Sequence, residues 1–153
     1  MGGGALNSAL SFKQQGFESV SVCAKTGSDL ERGFIIETLE KADIDYSHIA
    51  QTTKEKTGTS IILPSPSGDR GILVYRGANL FLEQNDTSAI SSASHIYITS
   101  LSKNTSALLP HITQQAKRHG AFVATNPGTS QLTENVSTLL NSLEHIDIVI
   151  TNR

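Results

Sequence analysis

The chain has 153 residues, with 12 basic and 14 acidic side chains, and 37% of its residues are hydrophobic. This length predicts one domain, because about 150 residues bury roughly two thirds of their unfolded surface. A net charge of −2 excludes the strongly basic surface that nucleic-acid binding usually needs, and it gives no reason to expect a membrane surface as partner. Neither a spanning apolar run nor a signal peptide is visible, so a cytoplasmic protein is expected.

The spacing of apolar residues predicts the first three elements of the chain, which are a helix, a strand and a second helix. Residues 5–15 show the spacing of a short helix, which follows a run of glycines and ends before Gly16. Alternation over 20–24 predicts a strand, and Asp29 is expected to cap the next helix. The buried face of that helix is expected to contain four apolar residues, Phe34, Ile35, Leu39 and Ala42.

A β-hairpin is predicted in the middle of the chain. The pattern changes to period two over 57–63 and again over 71–76, on either side of a turn rich in proline and serine. These strands are too short, and too polar at the turn, to belong to a buried parallel sheet.

The second half predicts a parallel sheet. Compact apolar strands are expected at 96–99, 121–125 and 146–150, separated by helices at about 107–119 and 131–143. Strands and helices that alternate at this spacing are typical of parallel strands joined by right-handed crossovers.

Both ends of the chain are unusual for such a sheet. A glycine-rich turn that opens a helix normally follows a buried strand, yet only Met1 precedes it here. The last strand runs to Ile150, and the sequence ends three residues later at Arg153, without a helix to cover that strand. We therefore expect a piece of a larger α/β protein.

The run Gly2-Gly3-Gly4, followed by Asn7, is the first candidate site. Glycines let a backbone approach a ligand closely, and the start of a helix offers free N–H donors. The amide of Asn7 presents a donor and an acceptor together, which suits vicinal hydroxyls. A flexible start followed by an exposed Asn is the alternative. The dinucleotide fingerprint needs glycine at position 7, so an oxidoreductase is disfavoured.

Two further candidates lie at strand ends. Arg76, beside Gly77, can bind an anionic or polyhydroxylated ligand, although a solvated arginine at a strand end is an equally good interpretation. Asn126 and Asn152 follow two of the predicted parallel strands, and the binding crevice of an open α/β sheet lies at such carboxyl ends. Asparagines there also serve as turn formers or helix caps.

A series of motifs occurs in order along the chain: Gly2-Gly3-Gly4-Ala5-Leu6-Asn7-Ser8-Ala9, Gly27-Ser28-Asp29, Thr57-Gly58, Gly77-Ala78-Asn79, Asn126-Pro127-Gly128 and a final Asn152. Together they resemble the PfkB, or ribokinase-like, family of sugar and nucleoside kinases. The resemblance implies a doubly wound α/β fold with a mostly parallel sheet. It also implies that residues 1–153 form part of one such domain, that 57–76 form a β lid, and that the first strand and the nucleotide-binding part are missing.

The resemblance further implies an ATP-dependent sugar kinase. Gly2, Gly3, Gly4, Asn7 and Arg76 would bind the sugar, while Asn126 and Asn152 would belong to the shell around phosphate and Mg²⁺. A homodimer through the lid is also implied, and a non-catalytic sugar- or nucleotide-binding module is the alternative function.

No catalytic residue is assigned within the chain. The family's Gly-Ala-Gly-Asp motif, which carries the general base, does not occur in this sequence. By the resemblance, the general base is expected beyond Arg153. The chain by itself is therefore expected to be inactive.

Overall fold

The structure is a computed structural model that describes residues 2–66, 68–101 and 103–151. Its α-helices are α1 (Gly4–Gln14), α2 (Leu30–Lys41), α3 (Leu109–Arg118), α4 (Thr129–Thr133) and α5 (Val136–Leu140). Its strands are β1 (Ala24–Thr26), β2 (Ile49–Gln51), β3 (Thr59–Pro64), β4 (Arg70–Tyr75), β5 (His95–Ile98), β6 (Phe122–Thr125) and β7 (Ile148–Val149). Short 3₁₀ helices occupy Gly77–Phe81, Gln84–Ser92, Lys103–Leu108 and Leu143–His145.

The first unit is a parallel pair, β1 and β2, joined by α2. The strand predicted at 20–24 is displaced, because regular pairing begins at Ala24 and only an isolated bridge from Ser21 to Asp45 precedes it. Asp29 caps α2 as predicted, since its carboxylate accepts a hydrogen bond from the Arg32 N–H at 3.3 Å.

The prediction of the buried face of α2 is only partly correct. Leu39 is fully buried and Ile35 packs against the same core, but Phe34 is 56% exposed. Successive helical residues are about 100° apart, so the turn that directs Ile35 and Leu39 inward directs Phe34 away from the sheet.

The predicted hairpin is confirmed. β3 and β4 pair antiparallel, with Thr59 opposite Tyr75 and Pro64 opposite Arg70. Every residue of both strands is exposed, so the hairpin projects from the rest of the chain.

The second unit is a parallel sheet in the order β5-β6-β7. Helix α3 connects the first two strands. The prediction of a single helix at 131–143 is wrong, because the backbone leaves the helical region at Asn135, which separates α4 from α5. The α/β fold class with parallel strands is confirmed.

Helix α1 contributes to both units. Leu6 and Ala9 belong to the core around β1, α2 and β2. Phe12 packs its ring edge against Tyr97 of β5, with ring centroids 5.8 Å apart. A second core lies between the β5-β6-β7 sheet and helices α3 and α5. Among the described residues, no helix has the length and apolar character needed to cross a bilayer.

Candidate functional site

The glycine run lies at the carboxyl end of β5. Gly3 precedes α1 with a φ of 109°, a conformation that favours glycine. A Cβ atom on Gly4 would come within 2.9 Å of the Thr99 Cβ, so the start of α1 lies directly against the residue that follows β5. This edge of a parallel sheet is where ligands bind in open α/β folds.

Asn7 lies one turn into α1. Its backbone N–H donates to the Gly3 carbonyl at 3.0 Å, as helix formation requires. The side chain is exposed, and its amide has no hydrogen-bond partner among the residues that the structure describes. The donor and the acceptor of this amide are therefore available to a ligand.

The turn after β6 closes against the turn after β5. A Cβ on Gly128 would overlap the Ser100 side chain, so the two turns meet where only glycine fits. Gln131 is 1% exposed, and its side-chain oxygen accepts hydrogen bonds from the backbone N–H groups of Leu101 at 2.8 Å and Gly128 at 3.1 Å. No pattern around Thr99, Ser100 or Gln131 in the sequence predicted this contact. Gly128 was the only signal for this contact.

Asn126 connects two strand ends. Its backbone N–H donates to the Ile98 carbonyl at 2.9 Å, and its side-chain NH₂ donates to the Ile150 carbonyl at 2.7 Å. The side-chain oxygen keeps its acceptor capacity.

The structure does not describe the positions on which two of the sequence-based predictions depend. Asn152, the other asparagine assigned to this edge, lies outside the described residues. Arg153, beyond which the general base is expected, lies outside them as well. The role of Asn152 and the position of the general base therefore stay predictions.

Arg76 lies at the exit of the hairpin and is exposed. The backbone turns sharply after it, because Gly77 has a φ of 47° and a Cβ there would overlap the Lys56 carbonyl. The following 3₁₀ helix, 77–81, packs against β1 and against the 3₁₀ helix that follows β5. Arg76 therefore directly precedes a segment that is packed against β1.

The base of the hairpin is fixed by an acidic side chain. The Asp29 carboxylate accepts hydrogen bonds from the Thr57 N–H at 2.7 Å and from the Thr57 hydroxyl at 2.5 Å. Desolvation raises the pKa of Asp29, but these bonds and the one from the Arg32 N–H outweigh it and hold the pKa below its ordinary value. The carboxylate is therefore charged at neutral pH.

The end of β1 is fixed to the 3₁₀ helix 84–92. Lys25 is 9% exposed and pairs with the Asp86 carboxylate at 2.7 Å. The neighbouring Cys23 thiol donates to the Asp86 carbonyl at 3.0 Å. Burial, and then the Asp86 charge, raise the pKa of Cys23 to about 11, so this thiol stays protonated and is a poor nucleophile.

Gly4 and Asn126 lie at the carboxyl ends of the parallel strands β5 and β6, at the same edge of this sheet. No hydrogen bond links Asn7, Arg76 and Asn126 to one another within the described part of the chain. Two surface cavities, of about 360 and 350 Å³, lie elsewhere. One is lined by residues around Glu18 and Asp45, and the other by residues around Gln84 and His111. The assigned roles of the site residues stay predictions.

Comparison with known proteins decides the family. The family model described as pfkB family carbohydrate kinase matches residues 1–153. The chain belongs to the PfkB family. Two curated relatives are similar. A ribokinase from Staphylococcus aureus (strain COL) is 29% identical over 155 residues, covering 99% of this chain and 48% of the relative. A ribokinase from Mus musculus is 30% identical over 129 residues, covering 82% and 39% respectively.

A solved structure supports the same fold. The crystal structure of a fructokinase from Xylella fastidiosa with bound ATP has a TM-score of 0.82 at 21% identity, covering 96% of this PfkB-family chain and 50% of that one. At this identity the likeness concerns the fold alone. The chain spans about half the length of the curated relatives it matches, or less.

Proposed function

We propose that this chain forms the sugar-binding half of an ATP-dependent carbohydrate kinase, which transfers the γ-phosphoryl group of ATP to a sugar hydroxyl. The observation that carries the proposal is the position of the glycine run. Gly4 lies against Thr99 at the carboxyl end of β5, with the free Asn7 amide one turn away. Membership of the PfkB family supports the same activity.

Vicinal hydroxyls are the chemistry that this site suits best. An amide can donate to one hydroxyl and accept from the next, and the first N–H groups of α1 add further donors. Arg76, at the base of the hairpin, adds a cationic donor for a heavily hydroxylated or acidic sugar. Ribose and fructose are the first sugars to test, because the relatives are named for kinases that act on them.

The described residues do not by themselves fit a magnesium site. Mg²⁺ prefers carboxylate and phosphate oxygens, and Asn126 offers one amide oxygen at this edge. No group of three or more carboxylate, imidazole or thiol side chains that could hold a metal ion occurs among these residues. The use of Mg²⁺ and a role for Asn126 and Asn152 around phosphate therefore stay predictions. A cytoplasmic location is a separate prediction from the sequence.

We further propose that the 153-residue chain alone does not phosphorylate a sugar. Phosphoryl transfer depends on positioning and on stabilising charge, and the family motif that carries the general base is not found in the sequence up to Arg153. A coupled assay for ADP release with ribose or fructose, Mg²⁺ and ATP tests this. Sugar-dependent ADP release by the purified chain would overturn it.

Asn7 provides the direct test of the sugar site. Asn7→Ala removes the side-chain amide that would bind the sugar hydroxyls and is expected to weaken sugar binding by about 1–3 kcal/mol, measured by titration calorimetry. The matched control is Asn141→Ala, an exposed asparagine after α5. It should leave the affinity unchanged. Equal sugar affinities of the parent protein and Asn7→Ala would remove Asn7 from the site. If a longer form of the protein bound the sugar without phosphorylating it, a non-catalytic binding module would be favoured.

A further inference from the structure

Two motifs that are 28 residues apart in sequence meet at Asp29 and Thr57. Thr57 is buried, and both its N–H and its hydroxyl donate to the Asp29 carboxylate. The same hydroxyl accepts a hydrogen bond from the Gly27 N–H at 3.0 Å. The entry to the hairpin is therefore bonded to the segment between β1 and α2.

The exit of the hairpin rests on this entry. A Cβ on Gly58 would lie 2.8 Å from the Arg76 carbonyl and would overlap the Asn79 side chain. Close by, the Lys56 carbonyl accepts a hydrogen bond from the Ala78 N–H at 2.7 Å. Any shift of Thr57 must therefore move the backbone that carries Arg76.

We infer that Asp29 is a positioning residue of the proposed sugar site, because through Thr57 it holds the base of the hairpin and sets the position of Arg76. This inference rests on the proposed function where it concerns the sugar. The anchoring of the hairpin itself can be measured without any sugar. Asp29 therefore has two structural tasks, since it also caps α2 through the Arg32 N–H.

Asp29→Asn separates these two tasks. Asparagine is a good helix cap, and its oxygen can still accept from Arg32 and from the Thr57 hydroxyl. Its NH₂ group, however, would face the Thr57 N–H, donor against donor. Thr57→Val tests the same anchor from the other side, because it keeps the shape of the side chain and removes the hydroxyl. Thr57→Ser keeps the hydroxyl and should restore the behaviour of the parent chain.

The experiment is amide hydrogen exchange on the 153-residue chain at neutral pH. In Asp29→Asn and Thr57→Val, the amides of β3 and β4 are expected to exchange about tenfold faster, while those of β5 and β6 stay within about twofold. Two controls match these variants. Asp45→Asn removes an acidic group that accepts from the Ser47 N–H, and Thr113→Val removes a buried hydroxyl in α3. Neither control should change the exchange of the hairpin.

Unchanged hairpin exchange in both Asp29→Asn and Thr57→Val would overturn the inference. So would equal acceleration at every amide, because that result describes a general loss of stability. The same exchange is then measured with saturating ribose or fructose. If neither sugar slows exchange at residues 57–77 of the parent chain, but the variants still loosen the hairpin, the anchor is supported and the proposed sugar site is contradicted.

Discussion

The contact between Gly128 and Ser100 depends on a single missing atom. Gly128→Ala would place a Cβ inside the Ser100 side chain, so the two turns must separate. Overpacking of this kind is expected to lower the free energy of unfolding by about 1–3 kcal/mol, measured by urea denaturation. Combining it with Ser100→Gly should recover part of the loss, since the overlapping side chain is then gone. Additive losses in the double variant would contradict the overlap.

Gly33 is the matched control for this substitution. It lies inside α2, and no atom outside its own helix lies within 4 Å of the position that its Cβ would take. Gly33→Ala is therefore expected to raise the free energy of unfolding by about 0.5–1 kcal/mol, because alanine loses less conformational entropy in a helix. The two glycine substitutions should have opposite signs in the same denaturation assay, and a loss at both positions would disprove this interpretation.

At the scale of the elements, one ion pair joins α3 to the start of β7. The Lys117 ammonium lies 2.6 and 2.7 Å from the two Asp147 oxygens, and the Val123 N–H donates to one of them at 2.8 Å. The hydrogen bond from Lys117, and then that from Val123, hold the pKa of Asp147 below its ordinary value. The charged form of Asp147 is thus stabilised by the folded chain.

This lowered pKa predicts the direction of a pH effect. The stabilisation is fully present above the unfolded-state pKa of about 4 and is lost as the pH falls through the lower folded-state pKa. Asp147→Asn should therefore reduce stability at neutral pH and make the loss of stability below about pH 5 shallower, as measured by denaturation at a series of pH values. Glu134→Gln, which changes an exposed carboxylate after α4, should change neither. An unchanged pH profile in Asp147→Asn would contradict the assignment.

Elements with a strong period were predictable from the sequence, and short or irregular ones were not. The hairpin, α3 and the strands β5 and β6 follow one clear pattern each. Strand β2 has three residues, too few to show a period, and the 3₁₀ helices 77–81 and 84–92 have no apolar repeat. Their conformation depends on contacts with distant residues, such as Lys25 with Asp86.

For the candidate site, local sequence patterns indicated an edge of the sheet, and they did not predict the individual contacts. Glycines and asparagines at strand ends indicated which edge of the sheet to consider, because parallel strands end together. The hydrogen bonds of Gln131 and the pairing of Asp29 with Thr57 join segments about 30 residues apart. No local pattern encodes such contacts, since they follow from how the crossovers place one turn on another.

For the whole molecule, the exposed hairpin predicts self-association. Ile62 on β3 is 59% exposed and Leu73 on β4 is 61% exposed, and an apolar two-stranded ribbon is a favourable surface for pairing. We expect a concentration-dependent dimer in sedimentation velocity, which Ile62→Lys should convert to a monomer. Leu30→Lys changes an exposed leucine of α2 and should leave the dimer intact. A parent chain that stays monomeric, or equal disruption by both variants, would disprove pairing through the hairpin.

Helix α1 carries the glycine run at one end and Phe12 near the other. Since Phe12 touches Tyr97, a displacement of the helix on ligand binding must alter the surroundings of that phenol ring. The chain has no tryptophan and three tyrosines, so phenol fluorescence is not masked by indole emission. The tyrosine fluorescence of the chain therefore contains a contribution from Tyr97 that changes, without any added label, when a ligand at the start of α1 displaces the helix.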